Sequence, residues 1–546
     1  MLEASFELII PLVVASIIDR GISNSDKTHI YSMCALMAIL GFLGFISSVT
    51  AQYFAAHTAV GFITQVRMAL FEKIQSFSYT TLDKTGKSTL INRMTSDTNQ
   101  LQTGVNLTLR LLLRSPFIVF GAIAMAFGIS RVAGFIFGVT VFVLSIIVFG
   151  IMFVTIPKYK KVQQSLDEVT DVTSQNLEGA RVIRAFCCED EQKGKFDEKN
   201  IKLYRLQSKV ARISSLLNPF TFLIINFAVI ILIYKGAFEV NSGAITQGKL
   251  IALYNYMAQI LVELIKLASL IITITKSTAS SSRISKILMM DGEYNLAEIS
   301  IDDKIHEIKF ENVSFAYEGA GAEALSNISF TARQGSVVGI IGATGSGKTT
   351  LINLIPKFYV PTKGKIYING VDINKMDKEA LRRRVGVSAQ NPALFSGSVA
   401  DNLKLACPEA CENDIYKALK KAQADDIEKD AKSLLDKHIE EGGKNLSGGQ
   451  KQRISIARAL LHNPDVLIMD DSSSALDNQT EAKLSAEILK GIDNMTVFIV
   501  SQRVSSIIHS DLIIVLDDGK CVGMGTHEEL MSVCGVYREI YSLQSL

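Results

Sequence analysis

The hydrophobic positions of this chain follow two regimes. Over the first half they run together in long uncharged blocks; over the second they come in short bursts among charged residues. No Asp, Glu, Lys or Arg occurs in residues 28–66, 115–130, 132–157 or 213–234. A fifth block, 250–262, continues apolar past Glu263 and Lys266 to residue 275, and a shorter one covers 8–18. About 20 apolar residues cross a bilayer as a helix. The pattern therefore predicts six spans, at about 2–19, 30–55, 108–130, 133–157, 214–236 and 246–274. The helical stretches 60–108 and 158–212 are too long and too polar for the bilayer and are expected to extend beyond it. A helical linker at about 276–290 leads to a charged stretch, 291–304. After a strand at 308–317, apolar runs alternate with amphipathic helical patterns, which predicts an α/β domain.

Charge sharpens that division. Residues 1–150 hold 17 charged side chains, 151–300 hold 32 and 301–546 hold 61. With a mean hydropathy of +0.26 over 546 residues, an all-soluble, a disordered and a collagen-like chain are all excluded. The net charge of +2 supplies no field that would draw nucleic acid, and no basic stripe appears. Seven cysteines form no CxxC pair and read as reduced, structural thiols. The first span opens with Glu3 and Glu7 and ends in Asp19-Arg20, the reverse of a secretory signal peptide, so a truncated or misplaced start is expected. Basic residues set the orientation. Arg67, Lys73, Lys84, Lys87, Arg93, Arg110 and Arg114 mark one long loop, residues 158–212 a richer one, and the opposite connections are short. Both long loops and the C-terminal domain are therefore expected in the cytosol. Arg110 and Arg114, four residues apart, read as snorkelling anchors, and Glu263 and Lys266 as a structural ion pair within a span, with a place on a substrate pathway as the alternative.

The sharpest chemical signal is Gly342-Ala343-Thr344-Gly345-Ser346-Gly347-Lys348-Thr349, between an apolar run at 337–341 and a helical pattern that opens at Thr350. Glycines let backbone N–H groups converge on phosphate oxygens at a helix N-terminus. In such a loop Lys348 reaches the terminal phosphates and Thr349 holds Mg²⁺. Downstream, the apolar run 466–469 ends in Asp470-Asp471, and Asp470 fits the second Mg²⁺ carboxylate of such a site. Between the two lies Leu446-Ser447-Gly448-Gly449-Gln450.

With these motifs in order, the chain resembles an ATP-binding-cassette (ABC) exporter half: an all-α membrane domain of six helices fused to a cytosolic α/β P-loop nucleotide-binding domain. The resemblance covers nearly the whole chain. It implies a transmembrane domain at 1–285, a linker at 286–304 and a cassette at 305–546. It implies ATP and Mg²⁺ as cofactors. Tyr317 would stack on adenine; Gly342, Thr344, Gly345, Ser346, Gly347, Lys348, Thr349 and Thr350 would hold the phosphates; Gln390 would sense Mg²⁺ and the membrane domain, joining Thr349 and Asp470 at the metal. The segment from Ser447 to Gln450 would close on ATP held by the other cassette of a dimer. Ser474-Ala475-Leu476-Asp477 matches the loop that bridges the two sites, Glu441 the segment that contacts the intracellular loops, and residues 90–94 and 176–186 the borders of those loops.

Two positions depart from the family pattern. Where the catalytic glutamate is expected stands Asp471, and where the switch histidine is expected stands Gln502. Asp is shorter by one C–C bond, about 1.5 Å. Gln carries no positive charge and exchanges no proton near neutral pH. Such a chain resembles the degenerate-site subunit of heterodimeric bacterial multidrug exporters. It would bind ATP, hydrolyse it weakly, and complete its partner's competent site with its own LSGGQ, so the expected partner is a second exporter half. The expected substrate is an amphipathic drug or lipid, and the expected location a cell membrane, crossed several times. The alternatives are a homodimeric lipid or peptide exporter with slow sites and an ATP-sensing regulatory subunit.

Overall fold

The computed structural model describes residues 1–293, 304–428, 430–472, 476–490 and 494–544. They form two compact units: residues 1–75 with 88–290, and residues 76–87 with 291–546. The short segment Ser76–Lys87, part of the first long loop in sequence, thus packs with the second unit.

The first unit is helical. Its elements are α1 (Leu2–Ser16), α2 (Lys27–Gln75), then, beyond α3 (Tyr79–Thr85) of the second unit, α4 (Lys87–Asn92), α5 (Thr98–Leu111), α6 (Arg114–Ile129), α7 (Arg131–Glu178), α8 (Ala180–Ala185), α9 (Glu189–Ser215), α10 (Leu217–Asn241) and α11 (Gln247–Leu288). Among the described residues, five helical stretches are long and apolar enough to cross a membrane. The predicted first span differs. It is an α-helix of only 15 residues that passes into a π-turn, Ile17–Ile22. Helices α2 and α7 run 49 and 48 residues without interruption, well past any bilayer thickness.

Two prolines shape this bundle. Pro11 sits inside α1 and lacks the N–H that would bond Glu7 O; Gln259 of α11 supplies a donor to that oxygen instead, at 3.3 Å. Pro116 likewise cannot bond Leu112, and the helix is broken there, between α5 and α6. Arg114 begins α6 at this break and does not snorkel. It donates to Glu7 Oε1 at 2.7 Å and pairs with Glu3 at 3.3 Å and Glu263 at 3.9 Å. Glu263, buried in α11, also accepts from Ser115 at 2.6 Å and Lys266 at 2.7 Å. A carboxylate taken out of water persists only with such partners. Around this network pack Ala4, Leu8, Ile118, Phe137, Tyr256 and their neighbours, many of them small enough for helices to approach closely. Gly248 is one such residue: a Cβ there would lie 2.3 Å from Ala15 O.

The second unit is α/β. A six-stranded sheet has the spatial order Lys520–Gly525, Leu512–Asp517, Val337–Gly342, Thr496–Val500, Val466–Asp470, Val385–Ser388. All neighbours are parallel except the antiparallel edge pair Leu512–Asp517 and Lys520–Gly525. Its strands Val337–Gly342 and Val466–Asp470 are buried along their whole length, as near-continuous apolar runs require. An antiparallel sheet of Leu325–Arg333, Glu307–Phe315, Lys363–Ile368 and Val371–Asp372 closes one side of the core, where Phe310 and Phe330 stack at 4.4 Å. A second apolar cluster, including Leu419, Ile454 and Leu467, fills a helical layer.

Parallel register has a positional consequence. The strands Val337–Gly342, Thr496–Val500, Val466–Asp470 and Val385–Ser388 all end at the same edge of the sheet. In open α/β sheets, ligands bind at that edge.

Candidate functional site

At that edge the Val337–Gly342 strand turns into the helix Lys348–Asn353, here α12. The turn bends through Gly345 (φ +85°) and Gly347 (φ +95°), conformations that residues with a Cβ rarely adopt. Gly347 is constrained a second time: a Cβ would lie 2.7 Å from Ala324 O. Lys348 is buried, and its ammonium donates to Gly342 O at 2.8 Å and Ala343 O at 2.7 Å, curling back over the loop. Burial lowers its pKa below the usual lysine value, against the opposing pull of Asp471 and Asp470. Ser346 Oγ is buried without a hydrogen-bond partner.

The neighbouring strand end delivers two carboxylates. Asp470 is buried and accepts from Thr349 Oγ1 at 3.1 Å. Its burial raises its pKa, and the adjacent Asp471 adds to that, against the Thr349 hydrogen bond and the Lys348 charge. Asp471 adopts φ +46°, and its amide donates to Val500 O at 2.9 Å, fixing the backbone. Gln390 Nε2 lies 3.5 Å from Asp471 Oδ2, at the outer limit of a hydrogen bond. Burial also raises the Asp471 pKa, opposed by Lys348, Arg503 and Gln390.

A cleft of about 270 Å³ gathers Tyr317, Thr344, Gly345, Gly347, Lys348, Thr349, Thr350, Gln390, Asp470, Asp471 and Gln502. Gly342 lies at the end of its strand and Ser346 within the turn, behind this lining. Tyr317 stands half-exposed at the mouth, its hydroxyl 3.0 Å from Thr350 Oγ1. Gln502 is exposed, and its carbonyl accepts from Gln544 at 2.6 Å. The remaining sequence-predicted residues lie elsewhere. Ser447 caps the helix Gly448–Leu460 in a reciprocal box with Gln450, and the first turn opens with exposed Gly448 and half-buried Gly449. Asp477 caps the helix Asn478–Leu489, accepting from Thr480 N at 3.0 Å. Ser474 and Ala475 lie outside the described residues.

Sequence reading missed Tyr359 and Asp83. Tyr359 packs against both Tyr317 and Phe315, and its hydroxyl donates to Asp83 of α3 at 2.7 Å. No motif spacing marks either residue. The one available signal was the aromatic pair Phe358-Tyr359 close behind the α12 helix.

This donor set suits a polyphosphate with a divalent cation. The Lys348 ammonium rests on two carbonyls that a phosphate oxygen replaces with a stronger, charged acceptor. The unpartnered Ser346 hydroxyl awaits an acceptor or donor, and Thr349 with Asp470 forms the hydroxyl–carboxylate pair that Mg²⁺ prefers.

Comparison with known proteins agrees. The family profile described as the ABC transporter transmembrane region matches residues 1–264, and that described as ABC transporter matches 325–474. Over 543 residues the chain is 35% identical to YfiB, an ABC transporter ATP-binding protein of Bacillus subtilis (strain 168), covering 99% of this chain and 94% of that one. It is 27% identical over 533 residues to an ATP-dependent lipid A-core flippase of Vibrio vulnificus (strain CMCP6), covering 97% and 91%. Its fold superimposes with a TM-score of 0.81 on a bacterial Atm1-family ABC exporter with ATP bound, at 22% identity and over 100% of this chain and 96% of that one. The chain belongs to the ABC transporter family. It is a multi-pass membrane protein with an ABC exporter fold, a cytosolic nucleotide-binding domain and the ATP-binding, ATPase chemistry of that family.

Proposed function

We propose that this chain is one half of an asymmetric ABC exporter that drives amphipathic compounds across the membrane. In this reading residues 1–285 form the transmembrane domain and 305–546 the cassette, joined through 286–304. ATP binds with its phosphates on Gly342, Thr344, Gly345, Ser346, Gly347, Lys348, Thr349 and Thr350 and its base on Tyr317. Thr349, Asp470 and Gln390 would hold Mg²⁺, which, when bound, screens phosphate charge. Ser447, Gly448, Gly449 and Gln450 form the N-terminus of a helix, a second anion site that serves the opposing cassette, while Asp477 helps shape the connection between sites.

The observation that carries the asymmetric reading is the pair Asp471 and Gln502 at the cleft, beside an otherwise complete phosphate loop. A carboxylate held about 1 Å out of place loses on the order of 10²-fold in rate. Gln502 cannot act as a cation toward a γ-phosphate. ATP is then held at this site and turned over mainly at the partner's, which this chain's LSGGQ completes. The amphipathic substrate class draws on the relatives. One is named a lipid A-core flippase, and another, YgaD of Bacillus subtilis (strain 168), 31% identical over 557 residues, is provisionally named a multidrug export protein.

The test is affinity purification of the tagged chain from native membrane with quantitation of what accompanies it. A second, different cassette chain carrying Glu and His at the corresponding positions, in near-equal amount, is expected. Recovery of this chain alone would replace the asymmetric reading with a homodimeric exporter of slow sites.

A further inference from the structure

Tyr359 occupies no motif, yet within the second unit it joins three elements. Its hydroxyl donates to Asp83 Oδ2 at 2.7 Å. Its ring meets Tyr317 edge-on, with centroids 5.4 Å apart, and Phe315 at 5.5 Å. Beside it, Phe358 packs on Tyr79 at 4.5 Å, with the Arg382 guanidinium 5.3 Å from the Phe358 ring. Tyr317 in turn reaches α12 through Thr350. A continuous path therefore runs from α3 through Tyr359 and Tyr317 to the helix that carries the phosphate loop.

A parallel tie exists but is weak. Lys84 pairs with Glu318, next to Tyr317, at 2.5 Å, with both side chains more than half exposed. Such pairs contribute little in water. Tyr359 differs because its ring is packed on Tyr317 and Phe315, while its hydroxyl donates to the exposed Asp83 carboxylate. Burial, reinforced by Asp83, raises its pKa above the usual tyrosine value, so the hydroxyl stays a donor across the physiological range.

We propose that Tyr359 is a positioning residue that couples the base end of the bound nucleotide to the segment Ser76–Lys87, through its ring on Tyr317 and its hydroxyl on Asp83. The inference rests on the reading of Tyr317 as the adenine-stacking residue. A base on the open face of Tyr317 fixes that ring, which fixes the edge contact with Tyr359 and so the hydroxyl that holds α3. Coupling of this kind is reciprocal: whatever orders α3 tightens base binding by the same factor.

Hydrogen exchange of the Ser76–Lys87 amides in the full-length protein in lipid nanodiscs tests this. The probes are a non-hydrolysable ATP analogue and tripolyphosphate, which offers phosphates without a base. The analogue is expected to slow exchange in Ser76–Lys87 about threefold or more, and tripolyphosphate at saturation to leave it unchanged. Tyr359→Phe keeps the ring and removes one hydrogen bond, so the analogue should still bind within about fivefold of wild-type affinity while the slowing disappears. Asp83→Ala, at the exposed end of the contact, should do the same without disturbing the core. Undiminished slowing in both variants, or equal slowing by tripolyphosphate, overturns the proposal. If Tyr317→Ala leaves affinity for the analogue unchanged, the stacking reading fails, and this proposal with it. Loss of affinity in Tyr317→Ala with Tyr359-independent slowing removes only the role given to Tyr359.

Discussion

On the asymmetric reading proposed above, replacing Asp471 with Glu and Gln502 with His should raise hydrolysis at this chain's own site. The longer carboxylate reaches about 1.5 Å further, which by the misplacement scale is worth on the order of 10²-fold. The backbone opposes part of that gain. Asp471 sits at φ +46° with its amide held by Val500 O. Aspartate enters this region readily, whereas a longer side chain pays roughly 1 kcal/mol, about a fivefold loss. His at 502 adds a group that can carry charge beside the γ-phosphate. The net expectation is a rise of about 10- to 100-fold in turnover at this site. The assay is phosphate release by the purified complex in liposomes, with the phosphate-loop lysine of the co-purifying cassette replaced by Ala so that only this site turns over. Adding Lys348→Ala to the double variant should abolish the gain. Unchanged turnover with ATP still bound would refute the argument that these two side chains set the defect.

Three further outcomes follow from the geometry. Gly448→Asp should lower steady-state ATPase and transport more than Lys348→Ala if, as proposed, the helix N-terminus it charges serves an opposing site; equal, mild losses would remove the asymmetry. Glu263→Ala should destabilise the membrane domain by about 1–3 kcal/mol, since buried Ser115 and the Arg114 and Lys266 cations lose a shared acceptor; an unchanged melting temperature in detergent would show the network to be dispensable. Glu293 is pushed upward by burial, but hydrogen bonds and charge from Arg382 and Lys378 prevail and hold its pKa below 4.5. Its contribution is therefore present above pH 4.5 and lost as pH falls through the lower folded value; melting curves between pH 5 and 3 (on the order of one carboxylate titration) should show a smaller acid loss in Glu293→Gln.

What the sequence made legible follows from the reach of each signal. Uncharged blocks located the apolar parts of α2, α7, α10 and α11, because a bilayer's demand is compositional. The polar stretches from 60 and from 276 also read as helical, and α2 and α11 do run on to Gln75 and Leu288; the pattern did not show the break after Gln75, since nothing in that polar continuation marks the end of a helix. The break before α6 was present in Pro116, yet an apolar block hides a missing N–H. Arg114 looked like a membrane-edge anchor because its partners, Glu3, Glu7 and Glu263, are distant in sequence. The phosphate loop and Asp470 were legible because their spacing is set by a ligand's geometry. Tyr359 and Asp83 were not, because their contact, across 276 positions of chain, exists only after folding.

The parallel strand ends bear on how such a cassette changes over time. Asp471 and Gln502 lie just past the last residues of their strands, Asp471 half-buried and Gln502 in solvent. The apolar runs Val466–Asp470 and Thr496–Val500, which carry the core, do not depend on either side chain. Chemistry and folding are therefore set by separate positions. Glutamate and aspartate codons differ by a single base, as do those of histidine and glutamine, so on the asymmetric reading two point mutations would separate a hydrolytic cassette from a holding one. A glutamate at position 471 would carry roughly 1 kcal/mol of backbone strain at φ +46°, too little to unfold a domain. Paired genes can specialise by that route, one copy keeping the reaction and the other keeping only the grip, without passing through an unfolded ancestor.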